Sequence, residues 1–357
     1  MNEGDRRPGP EKAAARSTPW GSLARWTTAW VAFWDERESP TVLAVIRISL
    51  AAVVLVDLAA ARGHGVIAWL WAPDAASGIA LLNPVDAPLF YRIFPATSGS
   101  AMLLWVGLVL SALGVGLGCF TRGSALLYVC LSAQAALINA PADRAIDRAI
   151  RIMVLLLAFS PAGQRWSVDA KRETGSFRGH PGEAPAWTRY LILGQLVLIY
   201  WGAALAKSGT HWYPWGGYRA LYYTLQDPIM AARDFRWLAE PLPYLGTQLA
   251  TSATHLWELS APLVLLAAYY RRTRARPGRL RALFNRWPVR TTYVAFGLVF
   301  HVALALSLRL GIFPWAMLAC FPAFFHPVEL GQATARLRTW GETWWARLPI
   351  GPGGSRA

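Results

Sequence analysis

Long apolar runs, separated by shorter charged or turn-rich stretches, set the pattern of this chain. A helix needs about 20 mostly apolar residues to cross the hydrocarbon core of a bilayer. Read that way, the pattern predicts about eight transmembrane helices, at roughly 41–61, 100–119, 124–140, 149–163, 188–206, 246–269, 291–310 and 312–326. Pro314 and Pro322 are expected to kink or break the last one. The expected fold class is therefore all-α, a polytopic membrane helical bundle.

Two flanking stretches carry large aromatic residues near helical spacing. Trp20, Leu23, Trp26, Trp30, Phe33 and Trp34 form one set, and Trp340, Trp344 and Leu348 the other. Both read as amphipathic helices lying in the membrane interface, with packing against the bundle as the alternative. The expected layout is a disordered N-terminus over 1–18, an interfacial helix over 19–40, the transmembrane domain over 41–330 and a tail with an amphipathic helix over 331–357. The long segments 62–98 and 207–245 are expected to cap a site on one side of the membrane. No internal repeat is visible.

Composition supports the membrane reading. Of 357 residues 55% are hydrophobic and only 15% charged, where a soluble domain carries nearer a quarter. The 19 tryptophans suit the headgroup level of a bilayer. A net charge of +15 suggests nucleic acid at first sight, but the charges fall between apolar runs and form no continuous patch, which excludes that partner class. Most Lys and Arg fall on one side of the expected spans, and 271–290 alone holds eight arginines. By the positive-inside rule that side is cytoplasmic, and an even number of spans puts both termini there. No cleavable signal peptide is expected from the polar first forty residues. Cys119, Cys130 and Cys320 read as small core residues outside any disulfide or metal spacing.

Candidate chemistry lies where charge is costly. Arg47 and Asp57 fall in the first span, too far apart along the axis to meet each other, so each needs partners elsewhere. Glu258 and His301 fall in later spans, and His255 lies one turn before Glu258. Each is either a lining residue of a polar cavity or a structural hydrogen-bonding group. Lys207 stands apart: the chain has three lysines, and the other two, Lys12 and Lys171, lie in polar segments. Burial moves a lysine toward the neutral amine, so Lys207 beneath His211, Trp212, Tyr213 and Trp215 is a candidate general base. The competing reading is a helix-end lysine snorkelling to the headgroups. In PADRAIDRAIR the charges fall at helical spacings (143/147, 144/148, 147/151), and Asp147 and Arg148 are expected to shape the same cavity as Lys207. Phosphate-cradling loops, HExxH, CxxC and GxSxG are absent, and no histidines pair at metal-ligand spacing.

The stretch 189–225 resembles the transmembrane part of vitamin K-dependent gamma-carboxylases and their bacterial relatives, the horizontally transferred transmembrane (HTTM) domain family. The resemblance runs through Tyr200, Gly202 to Ala206, Lys207, Trp212, Gly216, Gly217 and Tyr222. Further matches are Arg165-Trp166-Ser167-Val168-Asp169, which lacks one residue of the family's motif, Arg47 in the opening helix, and Glu258 with His301, Phe313 and Trp315. It covers about residues 40–327. It implies that Lys207 is the base that deprotonates a lipid-soluble hydroquinone, a vitamin K type or reduced menaquinone, on the non-cytoplasmic side of a bacterial inner membrane. It also implies epoxide formation from O2 and, in the carboxylases, proton removal from a glutamate that takes up CO2. The stretch after the last span here is short, whereas the carboxylases have a long lumenal region for their protein substrate. Asp147 and Arg148 stand about where the family carries a histidine. The reading from the residues alone keeps a second class open: a non-catalytic lipid- or quinone-binding protein or small-solute carrier.

Overall fold

The structure is a computed structural model that describes residues 27–28, 30–80, 87–179, 182–332 and 339. The expected termini 1–18 and 349–357, and Trp20, Leu23, Trp26, Trp340, Trp344 and Leu348, lie outside the described residues.

Five helices are long and apolar enough to cross a membrane: α1 (Thr41–Gly63), α2 (Ser98–Leu117), α3 (Thr121–Ile138), α6 (Trp187–Ala206) and α11 (Val289–Ser307). Between them lie α4 (Ala145–Ala158), α5 (Val168–Thr174), α7 (Ala220–Gln226), α8 (Pro241–Leu259), α9 (Ala261–Arg272) and α10 (Arg279–Arg286), and α12 (Phe313–Cys320) follows. The other three expected spans are helical but differ from single apolar crossings. The fourth, α4, has only 14 residues. The sixth divides at Ser260, ahead of Pro262, into α8 and α9. In the eighth, α12 gives way to a 3-10 turn (Phe321–Phe324) that contains Pro322, as a missing N–H requires.

The helices bury a continuous core that includes Ile46, Leu104, Leu157, Ile192, Leu196 and Phe324. Their outward faces stay apolar: Val56, Leu110, Leu117, Leu198, Leu205, Val299 and Leu306 are all more than half exposed. A belt of that kind fits hydrocarbon rather than water. Cys130 lies on this exposed surface and Cys119 is half-buried, so only Cys320 is the core residue expected of all three. The residue 30–34 segment is helical; Phe33 stacks on Tyr190 at 4.9 Å between ring centroids, while Trp30 is exposed.

Buried charges hold one end of the bundle together, the end that carries the arginine-rich α9–α10 connection. Arg47 is fully buried. Its Nη1 donates to the carbonyls of Val115 and Gly116, both at 2.6 Å, in the last turn of α2. Nη2 donates to Trp166 O at 2.8 Å and Arg165 O at 3.3 Å, and Nε to Ala162 O at 3.1 Å. All five guanidinium donors are thus used, on carbonyls at the end of α2 and in the turns after α4, of which Val115 O also accepts from Gly118 N. Trp166 adopts φ +50° as it turns into α5. Gly118 (φ +64°) is required beside it: a Cβ there would come within 2.3 Å of Ser167 Cβ and 2.8 Å of Arg47 Nη1. The Trp-Ser-Val-Asp stretch completes this latch. Ser167 Oγ caps α5 by accepting from Ala170 N, and Asp169 accepts from Phe120 N, Thr121 N and Thr121 Oγ1 at 2.7–2.9 Å, capping α3.

A second buried pair, not foreseen from the sequence, lies at the same end. Glu38 and Arg189 form a bidentate bridge (2.7 and 2.8 Å), and Arg189 Nη1 also donates to Ala323 O. Glu38 sits in β1 (Arg37–Glu38), which pairs antiparallel with β2 (Ala184–Pro185) ahead of α6. The starts of α1 and α6 and the end of α12 are therefore joined.

Replacing Arg47 by Met should lower the stability of the detergent-purified protein by at least about 3 kcal/mol, because several buried carbonyls lose a charged donor at once. A thermal unfolding midpoint unchanged from wild type would contradict this assignment. For Asp169, burial pushes the carboxyl up, but the hydrogen bonds from Thr121 and Phe120 outweigh it and hold the group below its ordinary value. A depressed folded-state value means stability that is present above the unfolded pKa, about 3.9, and lost as pH falls through the lower folded one. Unfolding scans below pH 4 should therefore show a decline that Asp169→Asn makes shallower.

Candidate functional site

At the opposite end, α6 stops at Lys207, where the backbone leaves helical geometry (ψ 72°). Two 3-10 turns follow, Thr210–Trp212 and Pro214–Gly216, then α7. This segment is fastened to α8: Gln248 Nε2 donates to Gly217 O at 2.6 Å, and Thr251 Oγ1 accepts from Leu221 N at 3.2 Å. Folding back in this way carries Trp212 over the end of its own helix.

The Lys207 side chain points inward. Its Nζ forms an ion pair with Glu258, reaches Ala203 O at 3.4 Å, and lies 4.8 Å from the centroid of the Trp212 ring. Only 16% of the lysine side chain and 6% of the Glu258 side chain are exposed, so the amine is directed at the bundle rather than outward. Glu258 stands in the last turn of α8, just before the break at Ser260. One turn earlier, the His255 ring meets Tyr213 at 5.3 Å and Trp212 at 6.4 Å, and its Nδ1 is buried without a partner among the described residues. Tyr213 in turn stacks on the exposed Trp215 at 4.7 Å and 4°. The group combines a proton-carrying pair, two flat aromatic faces and one unengaged ring nitrogen.

Of the residues singled out from sequence, Lys207, Glu258, Trp212 and Tyr213 come together here, with Trp215 at the margin. The remaining ones do not. His211 is exposed and packs against Tyr223 at 4.9 Å. His301 is fully buried one layer deeper, its Nε2 2.7 Å from Tyr200 Oη. The Trp257 ring, next to Glu258 in sequence, packs on Tyr200 at 4.7 Å and bonds Tyr293 O. Arg47 belongs to the latch at the other end: α1 and α6 start together, so helical rise puts Arg47 and Lys207 roughly 20 Å apart along the axis. His255, which reads from sequence chiefly as a structural residue, is the addition; its spacing of three from Glu258 was the available signal.

Asp147 and Arg148 also fall elsewhere, because the charged stretch 141–151 builds its own network. Arg144 Nη2 bridges Asp57 (2.6 Å) and Asp147 (2.8 Å), while Asp143 receives Arg148 (3.0 Å) and Arg151 (2.7 Å). The expected 147/151 pairing does not form, because α4 begins only at Ala145 and Asp143, outside the helical register, takes Arg151 instead. Asp57, Asp143, Arg144, Asp147 and Arg151 line a cavity of about 470 Å³ whose lining includes neither Lys207 nor Glu258. Arg148, two-thirds exposed, stands outside that lining.

The family model of the HTTM domain matches residues 36–272, from the residue before β1 to the end of α9. Lys207, Trp212, Glu258, Arg47 and the Trp-Ser-Val-Asp latch fall inside the match; His301, Phe313 and Trp315 fall outside it. No solved structure matches the chain. With two-thirds of its length matched, this multi-pass membrane protein belongs to the HTTM domain family.

Proposed function

We propose that the chain is a membrane enzyme that uses Lys207 as a base toward a lipid-soluble hydroquinone, reduced menaquinone or a vitamin K type, in the manner implied by its resemblance to gamma-carboxylases. The observation that carries this reading is the Lys207–Glu258 pair under Trp212. A lysine acts as a base only when neutral, and a carboxylate in contact with it in a poorly hydrated site can take up its proton. Glu258 would hold that proton while the Lys207 amine receives one from the hydroxyl. Trp212 and Tyr213 would wall the ring, and His255 Nδ1 would meet a second polar group. When bound, the hydroquinone supplies the reducing equivalents for O2. One hydroquinone and one O2 yield one epoxide and one water.

The proposal includes an orientation. The arginine-rich end faces the cytoplasm of a bacterial inner membrane, as the positive-inside rule requires, and Lys207 faces the other side. In that arrangement α4, the broken α8–α9 and α12 act as three further crossings beside the five long helices, eight in all.

A second reading has its own support: a cavity of about 470 Å³ lies away from Lys207, and an ion-paired lysine can serve as a fixed charge in a lipid- or quinone-binding protein or a small-solute carrier. The two separate on one substitution. Membranes containing the protein should convert reduced menaquinone and O2 to the epoxide, and Lys207→Ala should cut the rate about 100-fold or more. Lys207→Arg should fail equally, because arginine keeps its proton. Absence of epoxide above the Lys207→Ala background would sink the enzyme reading. Ligand retention in Lys207→Arg with no turnover in wild type would establish the binding one.

A further inference from the structure

The stretch 271–290, which joins α9 to α11, carries eight arginines and no acidic residue. Four of the eight have partners within the protein. Arg271 and Arg290 face Glu329, Arg272 pairs with Glu36, and Arg281 donates to Thr273 Oγ1 and to the carbonyls of Arg276 and Pro277. The side chains of Arg274, Arg276, Arg279 and Arg286 are exposed and make no hydrogen bond or ion pair among the described residues.

Two of those four belong to α10, whose faces are sharply divided. One face is fixed to the end of α9: Phe284 meets the Tyr270 ring at 5.3 Å, the Arg281 guanidinium lies 5.3 Å from the same ring, and Asn285 Nδ2 donates to Tyr270 O at 3.3 Å. Leu280, Leu283 and Trp287 follow at i, i+3 and i+7 on the adjoining face, and each is at least half exposed. Helical spacing puts Arg279 and Arg286 along the far border of that apolar stripe. An apolar stripe edged by cations, with a tryptophan at one end, is what a helix lying in a membrane interface presents.

The tether narrows the choice of partner. Only Trp287 and Pro288 separate α10 from α11, a helix of spanning length. The stripe is therefore held where α11 enters the membrane, and lipid is the apolar phase within reach. A guanidinium pairs with phosphate through two parallel hydrogen bonds, and a stretch without carboxylates favours a headgroup of net negative charge.

We propose that α10 is an anchor for anionic phospholipid, with Leu280, Leu283 and Trp287 sunk below the headgroups and Arg274, Arg276, Arg279 and Arg286 on the phosphates. The anchor is independent of the Lys207 chemistry and of which side of the membrane this end faces.

Amide hydrogen exchange of the full chain tests this, in nanodiscs of phosphatidylcholine alone and in nanodiscs with about one-third phosphatidylglycerol. Peptides covering 279–287 should exchange about 5-fold more slowly with phosphatidylglycerol, and high salt should remove much of that protection. Peptides from α7, at the opposite end, should not change. Joint replacement of Arg274, Arg276, Arg279 and Arg286 by Gln should abolish the difference between the two discs. These four side chains are exposed and unpaired among the described residues, so the variant should fold as wild type does. The double change Leu280→Gln and Leu283→Gln should speed exchange in both discs. Equal exchange of 279–287 in the two discs, an equal slowing of α7, or a difference that survives the four Gln changes would each overturn the proposal. So would the same protection from inorganic phosphate added to phosphatidylcholine discs, which would make the site one for a free anion.

Discussion

A guanidinium sealed inside an apolar bundle must satisfy all of its donors, and Arg47 does so on five carbonyls from three chain segments. Those carbonyls are within reach because helices end: the last turn of α2 and the turns after α4 present acceptors, of which only Val115 O is shared with a backbone N–H, that of Gly118. One side chain therefore fixes where α2 stops, how the chain turns into α5 and how α1 lies against both. Positive charge at a helix C-terminus is favourable in its own right, which adds to the bond count. The constraint reaches further, since Gly118 and Ser167 must pack around the guanidinium, and Asp169 beyond them caps α3. The Glu38–Arg189 bridge adds a second buried charge pair at this end, where Thr188 Oγ1 and Arg290 Nε have no partner among the described residues.

The other end is built differently. It leaves the His255 Nδ1 buried without a partner among the described residues. Its ion pairs, Lys207–Glu258 and the Asp57–Arg144–Asp147 bridge, are partly open to the surroundings. The two polar centres are distinct, one between α6 and α8 under an aromatic cover, the other among α1, α3 and α4. The short α4 allows the second, because a 14-residue helix leaves the chain before it free to fold inward as a charged rim.

Much of the architecture was legible in the residues. Five apolar stretches of spanning length can only be helices in hydrocarbon, where every backbone group must be paired within its own segment. Where prolines and polar residues interrupt the apolar run, at Pro262 and Pro322, the helix divides, and the count of continuous long helices drops below the count of apolar segments. Lys207 and Glu258 are each conspicuous along the chain as charges in costly places. That they touch could not be read from a separation of 51 residues, since it depends on how α6 and α8 pack.

By itself, the sequence determined the membrane environment, the helical class, the concentration of arginine at one end and the rarity of lysine, because these follow from composition and from the length of apolar runs. Only the tertiary structure decided which buried charge is scaffold and which is site. Arg47 and Lys207 look alike along the chain, as cations in or beside apolar helices. Packing surrounds the first with carbonyls that use every donor, and gives the second one carboxylate and an indole face. That difference arises from which helix ends meet, and a partner's chemistry is a property of space rather than of sequence distance.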